Sequence, residues 1–138
     1  MVDLDQQGGT SRSTIRSYQD LEVWKTAIDL VEQSYQLTRG FPRDEAYGLS
    51  SQIRRASVSI AANIAEGFGR ESTASFIQFL RISQGSTREL ETHFIIVRRI
   101  KLCNEEQAKE LLKACESISK MLRALIRSLE ARSRRPNL

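Results

Sequence analysis

Proline is nearly missing from this chain, with two in 138 residues, and glycine is sparse at seven. Nothing forces frequent breaks, so long uninterrupted helices are permitted. Cysteine occurs twice, at Cys103 and Cys115, too few for a disulfide framework. Cys115 falls on an apolar helical stripe, where a free thiol acts as a small hydrophobe. A reduced, cytoplasmic protein is the expectation. His93 is the only histidine, and no cysteine lies at ligand spacing from it, so a zinc site is not expected. No apolar run approaches the roughly 18 residues of a membrane span. The N-terminus lacks the basic-then-apolar order of a secretory signal, and none is expected.

What is present suits a single domain: 40% hydrophobic residues, enough for a core, and 28% charged ones for its surface. The net charge of +4 is unevenly placed. Arg127, Arg132, Arg134 and Arg135 against Glu130 leave +3 in the last stretch and only +1 in everything before it. Such a tail either grips phosphate or is merely solvated.

Hydrophobic periodicity predicts four helices. The first runs from near Tyr18–Asp20 to about Thr38. Its main row is Leu21, Trp24, Ile28, Val31 and Tyr35, with a second row of Val23, Ala27, Leu30 and Leu37. The second covers about Asp44–Gly67, with acids in its first turn and a main stripe of Leu49, Ile53, Ala56, Ile60 and Ile64. A narrow stripe of Ser57, Ala61 and Ala65 lies beside it. Gly67 and Gly69 are read as its left-handed stop. Ser72 is a good N-cap for a third helix reaching about Lys101, with Phe76, Leu80, Ser83, Thr87, Leu90, Phe94 and Val97 inward. Gly85-Ser86 at its middle suggests a close crossing or a bend. Asn104 and Gln107 form a capping-box signal for the fourth helix. Its Ala108, Leu111, Cys115, Ile118, Leu122, Leu125 and Leu129 keep heptad spacing. Short links make neighbours antiparallel, so the fold class is all-α, an up-down-up-down four-helix bundle. It occupies 18–131, between a disordered N-terminal tail at 1–17 and a basic C-terminal tail at 132–138.

The third helix carries more apolar surface than one bundle needs. At about 100° per residue, Ile95 and Ile96 cannot both share the row of Phe94 and Val97. Ile77, Phe79 and Ile82 crowd its start in the same way. Contiguous exposed apolar surface marks an interface, so these five residues are the candidate self-association surface. The competing reading is a thick core shielded by arginine and lysine stems.

Reaction chemistry is thin. Leu90, not a glutamate, stands three residues before His93, so the Glu-x-x-His pattern of di-metal bundles is missing. Gly67-Phe68-Gly69 follows a helix, whereas a phosphate cradle precedes one. Glu66, Glu89 and Glu91 need not meet. Asn63 interrupts an apolar helix and is expected to fix register by bonding Glu89 or Glu91. No catalytic residue, cofactor or metal is assigned, and the chain is not read as an enzyme. Two basic clusters remain, Arg54 with Arg55 and Arg98 with Arg99 and Lys101. With Arg132, Arg134 and Arg135 they are the candidate nucleic-acid contacts. The alternative is a scaffold in which these arginines pair with acids across subunit contacts and no nucleic acid binds. Carboxylates bonded to both Arg54 and Arg55 would favour the scaffold.

Several segments together carry a family likeness. They are YQDLEVWKTAIDLVEQSYQLT, FPRDEAYGLSSQIRRASVSIAANIAEGFGR, FIQFLRISQGSTRELET and the final leucine-rich helix. From about Tyr18 to Leu129 the chain resembles the four-helix bundle proteins known as 23S rRNA intervening-sequence, or S23, proteins. The resemblance implies a bundle assembled into a homopentameric ring and a loose link to RNA. Some relatives are encoded inside insertions of ribosomal RNA genes. A related bundle serves a retroelement reverse transcriptase as an accessory that binds nucleic acid and the enzyme. It brings no catalytic residues.

Overall fold

The computed structural model describes residues 14–45 and 47–134. Four α-helices account for most of them: α1 (Glu22–Arg39), α2 (Leu49–Phe68), α3 (Thr73–Arg99) and α4 (Glu105–Ser133). Short 3-10 turns at Tyr18–Asp20 and Arg43–Glu45 precede α1 and α2. Each helix packs on its chain neighbour, and α1 closes against α4. Ser59 meets Ser86 while Ile60 meets Ser83, so residue numbers rise on α2 as they fall on α3, the signature of antiparallel packing. The result is an all-α bundle.

Local chemistry starts and stops these elements as the sequence suggests. Ser72 Oγ accepts from Ser75 N at 3.1 Å, and Asn104 and Gln107 make a reciprocal capping box. A second capping box, Ser17 with Asp20, sets the entry to α1. The backbone N–H groups of Arg16 and Ser17 both donate to Asp20, which holds its carboxyl below the usual range. The expected N-terminal tail therefore ends earlier than residue 17: Ile15 is buried in the core and Ser17 is a cap. Residues 1–13 and 135–138, including Arg135, lie outside the described residues. At the other end α4 continues through Arg132 to Ser133, so the basic segment begins as helix.

Tertiary packing revises four expectations. In α1 the inward row is Val23, Ala27, Leu30, Ser34 and Thr38, whereas Trp24, Ile28, Val31 and Tyr35 lie half-buried on its flank. The start of α2 shifts from Asp44 to Leu49, because Gly48 leaves the helical path; Glu45 reaches the new N-terminus, accepting from Leu49 N at 3.5 Å. Gly67 does not stop α2. It sits inside the helix at the crossing with α3, where an added Cβ would lie 2.6 Å from Phe79 Cβ and 3.0 Å from Phe76 Cδ1. Gly69 caps the helix with an ordinary φ of −78°. Of the Gly85-Ser86 pair, expected to mark a close crossing or a bend, Ser86 meets α2 at Ser59, whereas Gly85 faces open space, with nothing within 4 Å of an added Cβ.

The core is layered by helix. α4 contributes Leu111, Cys115, Ile118, Leu122, Leu125 and Leu129, as its heptad spacing requires. The α2–α3 seam is built from small hydroxyl residues. Ser83 Oγ donates to Ile60 O at 3.0 Å, and the Ser59 and Ser86 hydroxyls bond at 2.8 Å. These hydroxyls find their partners across the seam, and their small size lets two backbones approach. Among the described residues no helix is long and apolar enough to cross a membrane.

Candidate functional site

The basic clusters expected from the sequence separate in space. α3 ends where α4 begins, and α2 starts at that same end of the bundle. Arg98, Arg99 and Lys101 therefore gather at this end, with Arg54 and Arg55 one to two turns along α2. Arg132 and Arg134 finish α4 at the opposite end, beside the Arg81–Glu130 ion pair of 3.6 Å.

Lys101 has a local backbone reason for its position. It is the one non-glycine residue with positive φ (64°) among those described. Lys101 N donates to Arg98 O at 3.1 Å and Leu102 N to Val97 O at 3.0 Å. This is a Schellman turn with lysine where glycine is usual. A left-handed lysine costs about 1 kcal/mol, and it projects an ammonium next to Arg98 and Arg99. Among the described residues, Arg55, Arg98, Arg99 and Lys101 form no ion pair with a carboxylate.

Arg54 is held differently. Its Nε donates to Thr38 Oγ1 at 2.8 Å, and its guanidinium carbon lies 4.7 Å above the Tyr35 ring. Among the described residues no carboxylate bonds to it. Tyr35 and Thr38 were not legible as site residues, because their relation to Arg54 depends on how α1 and α2 dock. Arg54 and Arg55 line an open groove of about 780 Å³ with Tyr35, Gln52, Val58 and Glu89. Among the described residues neither arginine pairs with an acid of its own chain.

The packing places the polar groups near the seam in different settings. Asn63 does not reach Glu89 or Glu91. Its amide donates to Ser59 O at 2.8 Å and Ser59 Oγ at 3.1 Å, closing a local network on its own helix. Its carbon neighbours on α2 leave it only half-buried, so it needs no acid across the seam. His93 is buried, and its Nε2 lies 3.5 Å from Glu89 Oε1 without hydrogen-bond geometry. Burial pushes the Cys115 thiol up to about 12, and burial also raises that of half-buried Cys103.

The five candidate interface residues divide. Ile82 and Ile96 are 50% and 39% exposed. Ile77 and Ile95 are half-buried, Ile77 against the core. Phe79 is also half-buried, committed to Gly67 on one side and to the Arg70 guanidinium, 4.7 Å from its ring, on the other. Val58 on α2, missed by the sequence reading, is 43% exposed. Helical spacing puts Ile82, Gly85, Glu89 and Ile96 on one outward stripe of α3. Val58 and Ala62 occupy the exposed side of α2.

The family model of the 23S rRNA-intervening sequence protein matches residues 19–124. A crystal structure from Bacteroides thetaiotaomicron, described as a protein with unknown function from the S23 ribosomal protein family, superposes with a TM-score of 0.71. It shares 26% identity, and the match covers 75% of this chain and 97% of that one. Among curated proteins, none matches. The chain belongs to the 23S rRNA-intervening sequence protein family.

Proposed function

From this family membership and the uncompensated cations, we propose a non-enzymatic, self-associating bundle that binds structured RNA through the Arg98–Arg99–Lys101 end. The observation that carries this reading is the cluster itself. Three cations crowd one helix end, one of them in a left-handed backbone conformation, and none is neutralised by a carboxylate among the described residues. Unpaired surface cations are the usual electrostatic footprint of phosphate binding. Arg55 extends the footprint along α2. Arg134 lies at the far end, where a second strand contact would fall only in an assembly.

Self-association supports the same reading. Ile82 and Ile96, with Val58, leave apolar surface in water that a second copy would cover. Five copies is the number the resemblance implies. The setting proposed is cytoplasmic, with both cysteines free.

Fluorescence anisotropy with ribosomal RNA fragments at low salt tests the binding. Binding that weakens steeply with salt and is lost in Arg98→Glu/Arg99→Glu is the expected result. No binding at micromolar protein leaves the family bundle as a self-assembling scaffold. Sedimentation tests the assembly separately. Ile82→Asp and Ile96→Asp should shift an oligomer towards monomer mass, and an unchanged mass in both places the interface elsewhere.

A further inference from the structure

We propose that Arg54, seated on Tyr35 and tied to Thr38, is a preformed contact for one phosphate of a nucleic-acid strand lying in the α1–α2–α3 groove. The proposal rests on the nucleic-acid reading above and adds a second, differently built contact to it. A free surface arginine must lose side-chain freedom when it grips a phosphate. Arg54 has already lost it. The Thr38 hydroxyl hydrogen is used by Ser34 O at 2.9 Å, which leaves the oxygen to accept from Arg54 Nε at 2.8 Å. The Tyr35 ring supports the guanidinium plane at 4.7 Å.

Both Nη groups of Arg54 make no hydrogen bond among the described residues, and they belong to a group lining an open groove. That is the edge a phosphate takes in a bidentate pair. Arg55 adds a second cation to the groove, and Gln52 a neutral donor. Glu89 occupies the same groove, with one carboxylate oxygen 3.5 Å from His93 Nε2. Its charge opposes a second phosphate there, so the groove is built for one phosphate rather than a run of them. Arg54 is the contact residue; Tyr35 and Thr38 are positioning residues.

The test uses the full chain and a labelled single-stranded RNA of roughly 20 nucleotides, longer than a compact groove covers. Affinity is measured across a salt series for wild type, Arg54→Gln, Thr38→Val and the double variant. Loss of one phosphate contact should weaken binding about tenfold and flatten the log–log salt slope by about 0.7. Thr38→Val leaves the Arg54 charge in place, so it should weaken binding less than Arg54→Gln with the slope kept, and it should add nothing to Arg54→Gln in the double variant. A purely structural Thr38 would weaken the Arg54→Gln protein further. Should wild type bind with a slope indifferent to Arg54→Gln but reduced by Arg98→Glu/Arg99→Glu, this proposal is overturned and the RNA reading stands. Absence of wild-type binding to this strand overturns the proposal, and absence of binding to the ribosomal RNA fragments as well overturns the RNA reading. In a variant-free check, the Arg54 Nε–H resonance of the wild-type protein should shift on adding the RNA; an unmoved resonance in saturated complex rejects the contact.

Discussion

α4 and the α2–α3 seam solve the same packing problem with opposite materials. α4 fills its side of the core with large aliphatic groups, Leu111, Ile118, Leu122, Leu125 and Leu129, all buried. The α2–α3 seam uses Ser59, Ser83, Ser86 and Gly67, and gains closeness instead of volume. α4 buries its apolar row within its own bundle, whereas Val58 on α2 and Ile82 and Ile96 on α3 stay exposed.

Leu122→Ala should break the aliphatic side most severely. Leu122 is fully buried, so lost transfer energy and the residual cavity should together cost about 3 kcal/mol, read from urea unfolding. Gly67→Ala attacks the close side. Alanine gains about 1 kcal/mol in helix propensity, yet its Cβ would press on Phe79 Cβ from 2.6 Å. Overpacking of about 2 to 3 kcal/mol should win, leaving a net loss of about 1 to 2 kcal/mol in the same measurement. A net gain would show that the seam can open at no cost.

Gly85→Ala sharpens the contrast, because it has the opposite sign. With open space around it, alanine should stabilise the helix by about 1 kcal/mol in thermal melts. A destabilised and dissociated protein would instead mean that a second copy closes on Gly85. The smallest effect is chemical. At pH 8, Cys103 should alkylate faster than Cys115, whose thiol is buried and pushed up to about 12. From the ordinary thiol value of 9.0 upwards, the unfolded chain loses the Cys115 proton before the folded one does. Its contribution to stability is complete below pH 9 and drains away as pH rises towards 12.

Caps and periodicities were legible because they are short-range. Ser72, Asn104 and Gln107 act within one turn, and the α4 row repeats every three or four residues. The glycines show where such reading fails. Gly67 and Gly85 look alike in sequence, one near a helix end and one mid-helix, yet the first lies at the crossing and the second in the open. Site residues divide in the same way. Arg54 was visible as a cation, but its support by Tyr35 and Thr38 was not. Asn63 was visible as an oddity, but its partner proved to be Ser59 one turn back, not an acid across the seam.

The amino-acid sequence by itself determined four helices, the N-caps of α3 and α4, the leucine row of α4 and an apolar surplus on α3, since each is written in spacings of three and four residues. Only the tertiary structure decided which row of α1 turns inward, which glycine meets a neighbour, and which cations stay together. Those outcomes depend on how far one helix slides and rotates against the next. That register is fixed by side-chain volume and link geometry across the bundle, where no local spacing reaches.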